Sequence, residues 1–299
     1  MTPPVPSRVA TAIRAANEDG RAALIVYLPA GYPDLDSSRA CMEAAAEAGA
    51  DLLEVGFPYS DPLMDGPTIQ GASQIALDHG YTPNDDFALC AQLTARVDAP
   101  ALVMTYYNLA WHFPGARPRG GQARGGQAPG GGRVGAVARP AGGDGLEDFA
   151  AAAAGAGLAG AILPDLPAEE RGDWMPVARK HGLATVFLAA PTSSDARLAA
   201  VAEASDGFIY ATSTLGVTGE RQSLSAMAAP LVARLRGITQ QPVCVGIGVT
   251  TGAHAEEVAG FADGVIVGSA IVRAAGRGGP AAVTEVVAEL AAGARRGRG

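Results

Sequence analysis

Leu52-Leu53-Glu54-Val55-Gly56-Phe57-Pro58-Tyr59-Ser60-Asp61-Pro62-Leu63-Met64-Asp65-Gly66-Pro67-Thr68-Ile69-Gln70 runs from an apolar segment of strand length, through a proline-stiffened loop, into the start of a helix. One carboxylate, Glu54, sits inside the apolar segment. An ionisable group there is costly unless it is paired or used. With the side-chain period of a strand, Leu52, Glu54 and Gly56 share one face and Leu53, Val55 and Phe57 the other. Gly56 leaves room for a ligand above Glu54. Loss of hydration should raise the pKa of Glu54 and let it donate a proton near neutral pH. An arginine-paired structural Glu is the rival reading. Asp61 and Asp65 follow in the loop, where turn or helix capping competes with catalysis.

The same pattern recurs along the chain. Ala23–Leu28, Ala101–Tyr106, Gly160–Leu163, Ala184–Leu188, Gly207–Tyr210, Pro242–Val245 and Gly264–Val267 are short apolar runs separated by helical patterns. Runs that are apolar on both faces belong to parallel sheets. About eight of them alternating with helices, over roughly 250 core residues, predict a (β/α)8 barrel. A doubly wound sheet is the second choice. Arg8 to Glu18 reads as an extra N-terminal helix, and Asp36 and Ser37 as N-caps of the helix that passes Cys41 and Ala45.

Segment 113–144 breaks the pattern. It is Gly, Pro, Arg and Gln with almost no core residues, and it follows the third strand. Such a composition cannot bury enough apolar surface to offset its ordering entropy, so a disordered insertion is expected within a single barrel domain spanning 1–299.

Composition narrows the chemistry. The 299 residues are 48% hydrophobic with a net charge of −8, against a nucleic-acid partner or a basic membrane surface. Met1 to Ser7 lacks the basic and apolar regions of a signal peptide, and no run of about 20 apolar residues appears. The three cysteines, Cys41, Cys90 and Cys244, are far apart and read as buried apolar residues in a reducing cytoplasm. Lys180 is the only lysine and ends a helix, which in a barrel lies opposite the active site. A Schiff-base mechanism is therefore disfavoured. The four histidines show no paired spacing, and no metal is expected.

Two glycine turns close the list of candidates. Gly246-Ile247-Gly248 follows the seventh run, and Gly268-Ser269 follows the eighth and opens a helix. Backbone N–H groups at such turns approach a phosphate closely, and consecutive last strands of a barrel are its recurring site. Ordinary tight turns are the alternative. Ala211 to Gly219 is small, polar and glycine-hinged, as a closing lid or a plain loop would be.

Taken together, Glu54-to-Gln70, Met104-Thr-Tyr-Tyr-Asn108, Leu163-Pro-Asp-Leu-Pro167, Gly216-Val-Thr-Gly219, Gly246-Ile-Gly248 and Gly268-Ser-Ala270 resemble the tryptophan synthase alpha subunit family. The resemblance covers the chain apart from its ends and the 113–144 segment. It implies a TIM barrel that cleaves indole-3-glycerol phosphate to indole and glyceraldehyde 3-phosphate. By motif position it implies Glu54 as general acid–base, Asp65 as the carboxylate that holds the indole N–H, and Tyr210 as the active-site neighbour of Glu54. Tyr27, Met104, Tyr106 and Leu188 would line the indole pocket. Thr218 would close the lid against Asp65, and Gly219, Gly246, Gly248, Gly268 and Ser269 would surround the phosphate. Asp61 and Asn108 would face a beta chain in an alpha2beta2 tetramer. The resemblance implies no cofactor here and pyridoxal phosphate in the beta chain. An activator of the beta chain with weak turnover and a stand-alone indole-releasing lyase remain open beside this reading.

Overall fold

The computed structural model describes residues 7–62, 64–113, 145–212, 224–246 and 248–298. Eight parallel strands close into a barrel in sequence order: β1 (Ala23–Pro29), β2 (Leu52–Gly56), β3 (Ala101–Met104), β4 (Gly160–Ile162), β5 (Ala184–Ala189), β6 (Ile209–Ala211), β7 (Val243–Val245) and β8 (Gly264–Val267). The helices among the described residues are α1 (Arg8–Glu18), α2 (Leu35–Glu47), α3 (Pro67–Asp78), α4 (Pro83–Thr94), α5 (Tyr107–Trp111), α6 (Gly145–Gly155), α7 (Trp174–Lys180), α8 (Asp195–Ala204), α9 (Leu224–Arg236), α10 (Gly252–Ala259) and α11 (Ser269–Arg296). The expected (β/α)8 barrel with a leading helix is the observed one. No described helix is long and apolar enough to cross a membrane. The 113–144 segment lies outside the described residues beyond Phe113.

Strand parity sorts the core into two. Even-spaced positions such as Ile25, Leu52, Leu102, Val186, Cys244 and Ile266 fill the barrel interior. Their neighbours Leu24, Leu53, Val103, Phe187 and Val265 face the helices. On the outer side Phe57 meets Phe87 edge-on at 4.8 Å, and Phe87 meets Phe149 at 5.3 Å, so the residue after Gly56 anchors β2 to α4 and α6. Burying both faces is what forces these strands to be apolar throughout.

Helix α1 closes the bottom. Ser7 caps it by accepting from the Ala10 amide, and its buried stripe of Val9, Ile13 and Ala16 joins the interior cluster. The Ser7 hydroxyl donates to the Asp206 carbonyl at 2.8 Å, and Asn17 Nδ2 to the Asp263 carbonyl at 2.9 Å. With one end plugged, a ligand can reach the interior only from the strands' C-terminal ends.

Two local expectations need correction. Helix α2 is capped by Asp34, which accepts from the Ser37 amide at 2.8 Å, and not by Asp36 or Ser37. Asp34 is the last extended residue before the helix, the geometry a cap requires. The third strand also ends sooner than its apolar run. It stops at Met104, and Tyr106 is the extended residue (φ −81°, ψ 144°) that precedes the short helix α5.

Candidate active site

Glu54 stands in the barrel mouth. Its register partners are Tyr27 on β1 and Leu102 on β3. It is 1% exposed, and neither carboxylate oxygen has a hydrogen-bond partner among the described residues. No guanidinium pairs with it among those residues, so the paired structural Glu fails as an explanation. Burial pushes its pKa up to about 8, which keeps a proton on it at neutral pH. A buried, protonated, unpartnered acid at the only open end of a barrel is poised to give that proton to a ligand.

Asp65 sits half-buried in the β2–α3 loop. It does not cap α3: Gly66 holds the cap position, and no side chain bonds there. Burial raises the pKa of Asp65, and the neighbouring Tyr106 hydroxyl opposes the rise. Gln70 Nε2 donates to the Asp65 carbonyl at 2.8 Å, tying the loop to the first turn of α3.

Two phenols complete the group. Tyr27 and Tyr210 both have pKa values driven well above the ordinary range, first by loss of hydration and then by the field of the carboxylates. Asp65 and Glu54 act on Tyr27, while Glu54 leads on Tyr210. Both therefore stay neutral and can only donate or accept hydrogen bonds. Neighbouring glycines make space for them. A Cβ at Gly56 would run into the Tyr27 hydroxyl, and one at Gly246 into the Tyr210 hydroxyl. Met104 and Leu188 sit part-buried on top of the interior cluster, forming an apolar wall beside the polar groups.

The glycine turns adjoin, because β7 and β8 pair directly. Gly248 has a left-handed φ of 61°, which a side chain would strain. Gly268 lies over Tyr27, where a Cβ would come within 3.3 Å of the ring. Ser269 opens α11, and Gly268 supplies no side-chain cap, so the first-turn amides face the mouth without one. Thr218 and Gly219 lie outside the described residues.

Asp61 and Asn108 are both exposed at the rim. Asp61 accepts from Ser60 Oγ at 2.7 Å, and Asn108 Nδ2 donates to the Tyr59 hydroxyl at 2.7 Å. Two residues that the sequence did not single out join them. Tyr59 stacks on Tyr106 with centroids 4.9 Å apart. Asp165 accepts from the Tyr107 amide at 2.7 Å and so caps α5 from the neighbouring strand end. An acid directly after an apolar run was a visible signal for Asp165; nothing in the sequence marked Tyr59. No three His, Cys, Asp or Glu side chains gather as a metal site among the described residues.

A closed (β/α)8 barrel with a buried protonated acid in its mouth, a second carboxylate in the adjoining loop and glycine turns after its last two strands has the make-up of an acid–base enzyme. The family model described as tryptophan synthase alpha chain matches residues 13–116 and 137–295, breaking only inside the Gly/Pro/Arg-rich segment. Tryptophan synthase alpha chains of Leifsonia xyli and Streptomyces coelicolor are 44% and 45% identical to this chain. The first match covers 97% of this chain and 100% of the relative, the second 95% of each. Among solved structures, Mycobacterium tuberculosis tryptophan synthase superposes with a TM-score of 0.81 at 40% identity, over 97% of this chain and 99% of the other. The alpha subunit from Legionella pneumophila gives 0.76 at 27%, over 97% and 98%. The chain belongs to the tryptophan synthase alpha chain family, and its role is that of the alpha subunit in tryptophan biosynthesis.

Proposed function

We propose that Glu54 and Asp65 together cleave indole-3-glycerol phosphate to indole and glyceraldehyde 3-phosphate. The observation that carries this is Glu54, wholly buried at the barrel mouth, with both oxygens unpartnered among the described residues and a pKa of about 8. Glu54 gives its proton to the indole ring carbon that bears the glycerol chain. Asp65, ionised, accepts the indole N–H and stabilises the positive charge that forms on the ring. The Glu54 carboxylate then takes the proton of the adjacent hydroxyl as that carbon becomes the aldehyde. The carbon–carbon bond breaks, and its electron pair returns through the ring to the nitrogen. Glu54 ends protonated as it began. The ring nitrogen is the electron sink, so the sequence of steps calls for no imine and no cofactor on this chain.

Tyr210 is the neutral neighbour of Glu54, and Tyr27, Met104, Tyr106 and Leu188 enclose the ring. Gly246, Gly248, Gly268 and Ser269, with Gly219 of the following loop, hold the phosphate, and Thr218 closes over Asp65. Asp61 and Asn108 meet a beta chain in an alpha2beta2 tetramer, where pyridoxal phosphate on that partner converts the indole. A cytoplasmic location belongs to the same reading, and three buried free cysteines suit a reducing compartment.

The test is indole release by the purified chain, with and without a beta chain, for the native protein, Glu54→Gln and Asp65→Asn. Loss of at least about a hundredfold in both variants, with native circular dichroism, is expected. Near-native turnover in either variant refutes the assigned roles.

A further inference from the structure

Taking Asp65 as the carboxylate of the reaction, we infer that Tyr106 is its positioning residue, and that Tyr59 and Asn108 hold Tyr106 in place. Tyr106 is 5% exposed and sits where β3 gives way to α5. Its hydroxyl oxygen accepts the Met64 amide at 2.9 Å. The same hydroxyl acts on the neighbouring Asp65 carboxylate and favours its ionised form. One hydroxyl thus grips the β2–α3 loop at Met64, the residue before Asp65, and acts on the Asp65 carboxylate as well.

The ring of Tyr106 is itself braced. Tyr59, from the start of the same loop, stacks on it with planes 24° apart. The Tyr59 hydroxyl accepts from Asn108, two residues beyond Tyr106 in the first turn of α5. That turn is fixed from β4 by Asp165, which takes the Tyr107 amide. The result is a closed circuit. Tyr59 is clamped between two side chains of one turn, and the far end of the loop is tied back to that turn through the Met64 amide. Asp65 would otherwise stand in a loop with Met64 56% exposed beside it, free to swing. The circuit supplies the fixed direction that charge stabilisation requires. It also ends on the exposed amide of Asn108, so a contact made there reaches Asp65 through two intervening side chains.

The titratable groups that interact with Asp65 among the described residues are Tyr27 on β1, Tyr106 before α5 and Tyr210 on β6. Of these, Tyr106 is the one that favours the ionised carboxylate. Removing its proton should leave Asp65 harder to ionise.

The experiment is steady-state cleavage of indole-3-glycerol phosphate by the full chain from about pH 5 to 9, with the beta chain present. Tyr106→Phe keeps the ring and deletes the hydroxyl. It should lower kcat about tenfold, change KM less than about threefold, and move the acid limb to higher pH. Tyr59→Phe keeps the stack and cuts the link to Asn108, and should move the same limb in the same direction by less. An acid limb unmoved in Tyr106→Phe overturns the inference, whether or not kcat falls, because a pocket-lining role predicts no such shift. Should Tyr106→Phe not fold, an unmoved limb in Tyr59→Phe overturns it. Asp65→Asn separates the two levels. Turnover retained in Asp65→Asn removes the reading of Asp65 itself; an inactive Asp65→Asn beside a native-like Tyr106→Phe removes only the positioning role.

Discussion

Glu54→Gln should make the protein more stable while abolishing its activity, and the gain should depend on pH. Glu54 titrates near 8 in the fold, against 4.5 for a free side chain. In the unfolded chain it ionises freely; in the fold it keeps its proton. The folded state therefore binds more protons through the intervening range, and stability falls as pH rises through it. Below about pH 4.5 both states are protonated and little is lost. Between about pH 5 and 7.5 the slope is about 1.4 kcal/mol per pH unit, so the accumulated cost at pH 7 is about 3 kcal/mol. It levels off above pH 8, where the folded state also ionises. Gln is neutral and of the same shape, and meets the same unpartnered surroundings without that cost. Urea unfolding of the native protein and Glu54→Gln at pH 5.5, 7 and 8 measures it. The difference should grow from about 1 to about 3 to about 4 kcal/mol. A difference that stays constant with pH, or a less stable variant at pH 7, would refute the claim that burial without a partner raises this acid.

The same protonation state limits the pH profile: kcat/KM for the cleavage should fall on the alkaline side with a midpoint near 8 as Glu54 loses its proton, and a flat profile from about pH 7 to 9 would contradict this. At the opposite end of the barrel, Asp263 accepts from the Val243 amide at 2.8 Å and pairs with Arg236 at 2.6 Å and Arg298 at 2.9 Å while 7% exposed. Asp263→Ala should cost about 2–3 kcal/mol in urea unfolding, chiefly because it leaves the buried Val243 amide without its acceptor while the partly exposed Arg236 and Arg298 can rehydrate, and should leave KM unchanged.

Much of this protein was legible in its residues, for a physical reason. Strands buried on both faces must be apolar throughout, so the eight runs stood out and their alternation with helices implied a barrel. Parity along Leu52 to Phe57 put Glu54 inside, and a lone acid inside an apolar strand is rare enough to mark itself. Short polar segments carried less. The α2 cap belongs to Asp34, not to Asp36 or Ser37, since three acceptors within four residues satisfy the same sequence rule and only backbone geometry chooses among them. Helix α5 went unread because five residues contain too little periodicity to declare a helix.

The opening stretch divides along the same line. Its own order of residues determined a strand, an inward acid and a stiff loop, because each follows from local stereochemistry and hydration. Only the tertiary structure decided what that acid would be. Glu54 keeps its proton at neutral pH because it is buried and no cation on any other strand or helix pairs with it among the described residues. Asp65 is not a cap because Gly66 takes that position, and Tyr106, arriving from beyond β3, grips the loop at the residue before Asp65. Those facts depend on which groups converge in space from distant parts of the chain, and no local pattern encodes them.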